Sequence, residues 1–304
     1  MPRTRPLILL KLLLTAFLWG GTWIAGRSAV QEMAPLAVAS WRFFLASLAI
    51  GLLLFRREGF PRWTIGDWLV LTSLGLTGVF CYNVFFLYGL QHVEAGRGAL
   101  VVAFIPAIIA MADWLVFGQP MSPLKALGVT LAMFGCLLVV TQGQPERLLT
   151  GEVGFGEWLL LGTALSWTAY TLINRGITAR FSPLAMTFGG CLAGWVMLTI
   201  CALAEGSLFD FSAATWRAPT SIAFLGLFGT AVAFTWYSEA ISHVGSTKAA
   251  AFINLVPVFA VLLGALLLDE RLGAGVLAGG AAVIGGVLIT HYSRHQRPVS
   301  FSSR

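Results

Sequence analysis

The chain has 304 residues, 58% of them hydrophobic and only 11% charged, with a formal net charge of +6. Soluble domains carry about 25% charged residues, so this chain cannot coat a globule of its size with solvated side chains. Its composition suits lipid instead, and the net charge gives no reason to expect a nucleic-acid partner.

A hydrocarbon core about 30 Å thick is crossed by roughly 20 apolar residues, each rising about 1.5 Å along a helix. Ten stretches have that character: 8–26, 34–55, 67–90, 95–117, 123–141, 156–174, 183–204, 219–241, 246–268 and 273–292. Inside lipid they satisfy their own backbone hydrogen bonds as helices. The expected fold is an all-α polytopic membrane protein of ten transmembrane helices with short connections. Arg3 and Arg5 ahead of an apolar run look like a signal peptide. Lys11 interrupts that run, and the segment is echoed later in the chain, so it is expected to remain as a span. Lys and Arg crowd one set of span ends, including Arg56, Arg57, Arg62 and Arg180, against Arg27, Arg97, Arg147, Arg217 and Arg271 opposite. That bias places both termini in the cytoplasm of a cell (inner) membrane protein.

The first span contains TAFLWGGTWIAGR, 15–27. On a helix Thr15, Trp19, Thr22 and Gly26 share one face. The pattern is that of a helix with a polar cavity on one side, packing being the alternative. Gly20 and Gly21 are expected to permit close helix approach and form a candidate hinge. Trp23, near the helix end, fits an interfacial belt. Arg42, about two turns into the second span, reads as snorkelling or binding a carbonyl, with a substrate carboxylate as the alternative partner. In the third span Tyr82, Asn83 and Phe86 offer aromatic and amide surface, either to a cavity or as glue between helices.

The fourth span opens near Arg97, read as a snorkelling anchor with a gate contact second. It contains Pro106, a candidate kink, and Asp113, the only carboxylate inside a span away from its last residues. Small residues in the fifth and tenth spans, such as Gly128, Gly135, Gly279 and Gly286, make either an internal seam or a dimer seam, so the chain is expected as a monomer or homodimer. The sixth span presents Thr163, Trp167, Tyr170 and Asn174 along one face, and the eighth adds Tyr237. In the ninth, after Lys248, Asn254 stands three residues before Pro257, whose ring frees the carbonyl of Ile253. A carboxamide there either binds a ligand or repairs the kink. Arg294, Arg297 and Arg304 read as a basic tail against an anionic leaflet. The four cysteines fit no zinc or redox spacing; no metal or cofactor is expected.

The chain reads as one unit written twice. Thr15, Trp19 and Arg27 recur 148 residues later as Thr163, Trp167 and Arg175, and Pro35-Leu36-Ala37 as Pro183-Leu184-Ala185. From the third span the offset becomes 151, aligning Gly75 and Gly78 with Gly226 and Gly229, Phe86 with Tyr237, His92 with His243, Pro106 with Pro257 and Gly128 with Gly279. The expected repeats are 1–147 and 148–304. Each holds five spans, an odd number, so the second copy is inverted, as in many secondary transporters with a site near the midplane.

The W-x7-R-x7-P pattern of the first helix pair, the prolines of the fourth and ninth spans, and Asp269-Glu270-Arg271-Leu272 before the last span resemble the EamA-type branch of the drug/metabolite transporter superfamily, with its YddG-like amino-acid exporters. Gln119 stands where Glu270 has its counterpart, a departure from symmetry. The resemblance implies ten helices and export or exchange of small metabolites, amino acids included.

Ionisable groups at mid-span are costly and mark pathways; here they are nearly absent, which disfavours proton-coupled cation pumps and phosphate carriers. The aromatic, hydroxyl and amide set suits a neutral or zwitterionic small molecule. The expected substrate-binding residues are Thr15, Trp19, Thr22, Tyr82, Asn83, Phe86, Trp167, Tyr170, Asn174, Tyr237 and Asn254, with Gly20, Gly21, Pro106 and Pro257 as hinges. The expected activity is export of amino acids, aromatic ones included, by alternating access. Export of other metabolites or drugs, such as nucleosides and cationic dyes, and a non-transporting receptor or scaffold are the alternatives. No G-x-S-x-G, H-E-x-x-H or P-loop signature points to an enzyme. The expected partners are a small-molecule substrate and membrane lipids.

Overall fold

The computed structural model describes residues 4–59, 61–151, 153–175, 181–244, 249 and 252–293, and among these there is no β-strand. The helices are α1 (Thr4–Val30), α2 (Pro35–Glu58), α3 (Ile65–Leu74), α4 (Tyr82–His92), α5 (Ala95–Val102), α6 (Ile105–Leu115), α7 (Pro123–Val140), α8 (Arg147–Thr150), α9 (Phe155–Arg175), α10 (Pro183–Glu205), α11 (Arg217–Ala223), α12 (Ala233–Val244), α13 (Val256–Leu267) and α14 (Ala274–Ser293). Two π-helical segments, π1 (Gly75–Cys81) and π2 (Phe224–Val232), join α3 to α4 and α11 to α12. Lys248, Arg294, Arg297 and Arg304 lie outside the described residues.

Among the described residues seven helical segments are long and apolar enough to cross a membrane, with Val256–Leu267 and Ala274–Thr290 as shorter apolar helices. Large apolar side chains such as Leu48, Leu115, Ile200 and Leu266 stand exposed on their outer faces. Exposed apolar surface on this scale marks a lipid-facing chain. The protein is a multi-pass membrane protein.

Helix starts follow local chemistry. Thr64 and Asp67 form a reciprocal capping box at α3, and Ser122 and Ser182 accept from the third amide of α7 and α10, each followed by proline, which suits the first turn because the ring fixes φ and no donor is lost. The fourth and ninth stretches are not continuous. α5 ends and α6 begins across Ala103-Phe104, and α13 begins after a turn at Asn254-Leu255. Pro106 and Pro257 each occupy the first turn of the helix that follows.

The chain forms two compact units, each drawing on both halves of the sequence: Met1–Ala99 with Gly154–Arg271, and Leu100–Val153 with Leu272–Arg304. In the first, α1 packs against α12 and α13, α2 against α10 and π2, and α4 against α9. In the second, α7 packs along α14. A Cβ on Gly128 would lie 2.6 Å from the Gly286 carbonyl oxygen, and one on Gly135 at 2.6 Å from that of Gly279. The small residues of these helices therefore serve this internal seam.

Sequence-matched positions make matched contacts. A Cβ on Gly75 would meet Gly190, Ala193 and Gly194 of α10; a Cβ on Gly226 would meet Arg42, Leu45 and Ala46 of α2. The three partners in one set are the 148-residue counterparts of the three in the other. π1 and π2 themselves fall at matched positions, although nothing in the sequence reading anticipated a π-helix.

Candidate functional site

In the first unit α1, α4, α9 and α12 carry most of the aromatic and amide residues singled out above. Trp19 of α1 lies edge-on to Phe234 with ring centroids 5.5 Å apart and tilted against Tyr237 at 5.2 Å. Its indole N–H donates to the Gly229 carbonyl of π2 at 3.0 Å. Thr22 is buried, and its hydroxyl donates to the Trp19 carbonyl at 2.6 Å.

A second run of rings crosses α1, α4 and α9. Trp23 meets Phe86 edge-on at 4.8 Å, Phe86 stacks on Tyr82 at 5.9 Å, Tyr82 tilts against Trp167 at 5.2 Å, and Trp167 against Tyr170 at 5.0 Å. Aromatic pairs at such separations add about 0.5–1.5 kcal/mol beyond area burial. Trp23 is thus no interfacial belt residue: it is buried against Phe86 and Gly98.

Arg42 of α2 departs furthest from expectation. It does not snorkel but is only 8% exposed. Its Nη1 donates to the Asn83 side-chain oxygen at 2.9 Å and its Nη2 to the Thr230 hydroxyl at 3.5 Å. Asn83 Nδ2 donates to the Val79 carbonyl of π1 at 2.7 Å, and the Thr230 hydroxyl to the Leu225 carbonyl of π2 at 2.9 Å. The guanidinium therefore links the two π-helical segments, a backbone form frequent at functional sites. Thr230 was missed in the sequence; a threonine in an apolar run gives no signal until the π segment is known.

The remaining expected residues are placed as follows. Thr15 and the Asn174 side-chain oxygen are buried with no hydrogen-bond partner among the described residues. Asn254 is half-buried in the turn before α13. α1 runs unbroken through Gly20 and Gly21, with Gly20 against Phe259 of α13 and Gly21 against Phe224 of π2.

One end of this unit is held by charges on helix termini. Arg27 donates to the carbonyls of Leu90 and Val93 at the close of α4. The Glu270 carboxylate accepts from the amides of Ala95 and Gly96 at 2.7 and 2.9 Å, opening α5. Both match the polarity of the helix dipole. Arg97 is buried rather than snorkelling, and pairs with Glu157 at 3.1 Å and Glu94 at 3.2 Å. Toward the start of α1, Lys11 pairs with Glu239 at 2.7 Å.

An open cavity of about 200 Å³ lies where α1 ends, lined by Glu32, Gln91, Asp210 and Ser212 among others, and by none of the residues expected at the site. The Thr215 hydroxyl and amide donate to Glu32 and hold its carboxyl below the ordinary value. The Ser212 hydroxyl does the same to Asp210. Among the described residues no group of three or more His, Cys, Asp or Glu could hold a metal ion.

Known proteins resemble this chain over nearly its whole length. The chain is 28% identical over 273 residues to the uncharacterized transporter YyaM of Bacillus subtilis, covering 88% of each. It is 25% identical over 278 residues, 91% of each chain, to a probable terminal-alkyne amino-acid exporter of Streptantibioticus cattleyicolor. A solved crystal structure superposes with a TM-score of 0.63 at 19% identity, covering 93% of this chain and 97% of the other. The model of the EamA-like transporter family matches twice, over residues 6–141 and 154–292. A buried polar and aromatic interior in a lipid-facing helical chain, matched almost end to end by that doubled model, makes this protein a member of the EamA-like transporter family.

Proposed function

We propose that this transporter exports small neutral or zwitterionic metabolites, amino acids including aromatic ones, by alternating access between two inverted five-helix repeats with both termini in the cytoplasm. The observation that carries the reading is two groups of packed rings on four helices, Trp19 with Tyr237 and Tyr82 with Phe86, Trp167 and Tyr170, together with the buried hydrogen bond between Arg42 and the amide of Asn83, next to Tyr82 in the chain. Ring faces cover an apolar side chain, and polar groups take the head of an amino acid. The contacts of Gly75 and Gly226 with counterpart residues support the repeat, since two similar halves give two states of similar energy. The name of the Streptantibioticus cattleyicolor relative favours amino acids over nucleosides.

Counterflow in proteoliposomes tests the substrate, with amino acids, nucleosides and cationic dyes offered with and without a pH gradient. Flux of aromatic amino acids is expected; flux confined to nucleosides or dyes, or none, defeats the reading. Accessibility labelling of cysteines placed beside Arg27 and beside Arg175 tests the inversion, with opposite faces expected.

A further inference from the structure

We propose that Arg42 is the anchor for a carboxylate on the substrate, so that the transported class is small organic acids and amino acids with an apolar or aromatic body, recognised through the carboxylate rather than the amine. This rests on the exporter reading above and narrows it.

The argument begins with charge. Arginine stays protonated in proteins, and Arg42 carries that charge at 8% exposure within an apolar span. Its two hydrogen-bond acceptors, the Asn83 amide oxygen and the Thr230 hydroxyl, are neutral. The Phe43 ring, 5.0 Å from the guanidinium carbon, adds only a cation–π contact. The Arg42 Nε is buried with no acceptor among the described residues. The ion pairs of Lys11 with Glu239 and of Arg97 with Glu94 and Glu157 do not include Arg42. A buried ion with no counter-charge is costly, and one such ion in a membrane helix marks a pathway. A carboxylate supplies what is missing, because its two oxygens match the guanidinium fork.

Position supports the same assignment. Asn83 follows Tyr82 and precedes Phe86 by less than a turn, placing Arg42 beside one run of rings. Thr230 follows Gly229, which accepts from Trp19 of the other aromatic group. The cation is therefore tied through Asn83 to the helix that carries one aromatic set, and through Thr230 to the segment that accepts from Trp19 of the other. It is also unrepeated: the counterpart of Arg42 is Gly190, which makes the matching backbone contact but brings no charge. One carboxylate is held, in one orientation, with its body toward the rings.

The competing role is a structural one, Arg42 merely tying π1 to π2. Purified protein in detergent, followed by intrinsic tryptophan fluorescence, separates the two with three probes: L-phenylalanine, L-phenylalaninamide and phenylacetate. Phenylalanine and phenylacetate are expected to bind at least about tenfold more tightly than the amide. In Arg42→Gln that preference is expected to vanish while gel-filtration behaviour is kept, and Arg42→Lys should retain part of it. Equal binding of the amide and the acid by the unaltered protein, or a tenfold preference surviving in Arg42→Gln, overturns the proposal. If Arg42→Gln does not fold, the probe series on the unaltered protein and on Arg42→Lys still decides. The two readings fail separately. Equal flux of phenylalanine and its amide in proteoliposomes sinks the carboxylate anchor and leaves the exporter, whereas carboxylate-selective binding without amino-acid flux does the reverse.

Discussion

Tyr170 lies across Gly78 so closely that a Cβ on the glycine would sit 2.4 Å from the ring. The counterpart pair behaves alike, a Cβ on Gly229 falling 2.5 Å from the Thr22 methyl. Neither helix can carry a side chain at that crossing without moving its partner. Gly78→Ala and Gly229→Ala are each expected to lower stability by about 1–3 kcal/mol through overpacking. Gly78→Ala should cost more, because a ring held at several atoms yields less than one methyl. Gly66→Ala, whose nearest contact would be 3.8 Å away, is the control and should lie near zero. Thermal unfolding in detergent ranks the three, and equal loss in the control would discredit the crossing as the cause.

The two central tryptophans differ in what they hold. Trp19 donates to Gly229, while the Trp167 indole N–H has no protein acceptor among the described residues and only rings, Tyr82 and Tyr170, beside it. Trp19→Phe leaves the Gly229 carbonyl short of a donor and is expected to cost about 1 kcal/mol. Trp167→Phe should be nearly neutral in stability yet weaken binding of aromatic substrates, since its free N–H faces no fixed partner. Melting temperature and fluorescence titration in the two variants distinguish holding from binding.

How much of this was legible beforehand varies by element. The helical class followed from apolar run length, and Gly75 and Gly226, which recur in register in the sequence, make matched contacts. Tyr82, Phe86, Trp167 and Tyr170 stand out in the sequence as rings in apolar runs, and the structure packs them against one another. Snorkelling, one of the readings open for Arg42 and the first for Arg97, fails for one reason: sequence shows a cation's depth along a helix but not which way it points. Trp23 failed likewise, its place near a helix end being no guide to its facing Phe86. The π segments left no trace in the sequence at all, since one extra residue per turn depends on how neighbouring helices pack rather than on local propensity.

Glu270 caps α5 with both carboxylate oxygens, on the amides of Ala95 and Gly96. Glu270→Ala removes both acceptors from a helix start and is expected to cost about 1–2 kcal/mol. Glu270→Gln keeps one acceptor without the charge and should lose roughly half as much. Unfolding in detergent at low and high salt checks the attribution, because the charge–dipole part of the loss should shrink with salt.

Glu32 ties the chain after Val30 to the start of α11 through Thr215 and Ala218. Those donors favour the ionised carboxylate and hold its pKa below the ordinary 4.5. A carboxyl depressed in the folded state adds stability above its unfolded pKa and loses it as pH falls through the folded one. The melting temperature should therefore decline on acidification below about pH 4.5, more steeply in the unaltered protein than in Glu32→Gln. Parallel slopes would remove Glu32 from the acid response.

Two ion pairs of the first unit, Arg97–Glu157 and Lys11–Glu239, are unequal. Arg97 and Glu157 are both under 10% exposed, whereas the Lys11 and Glu239 side chains are 22% and 36% exposed. Breaking a buried pair by removing one partner costs about 3–5 kcal/mol where the other charge is stranded, and less here because Glu94 still pairs with Arg97; a partly solvated pair is worth about 1 kcal/mol or less. Glu157→Gln should thus destabilise clearly more than Glu239→Gln. Lys11 sits near the start of α1, whereas Arg97 lies four residues after Val93, whose carbonyl Arg27 grips near the other end of α1. Under the alternating access proposed above, each pair would fasten one end, and its loss should favour the state open there. A cysteine at Gln91 is expected to label faster with a membrane-impermeant maleimide in the Glu157→Gln background, and no faster in Glu239→Gln. If both backgrounds speed labelling equally, the pairs stabilise the bundle without governing which end is closed.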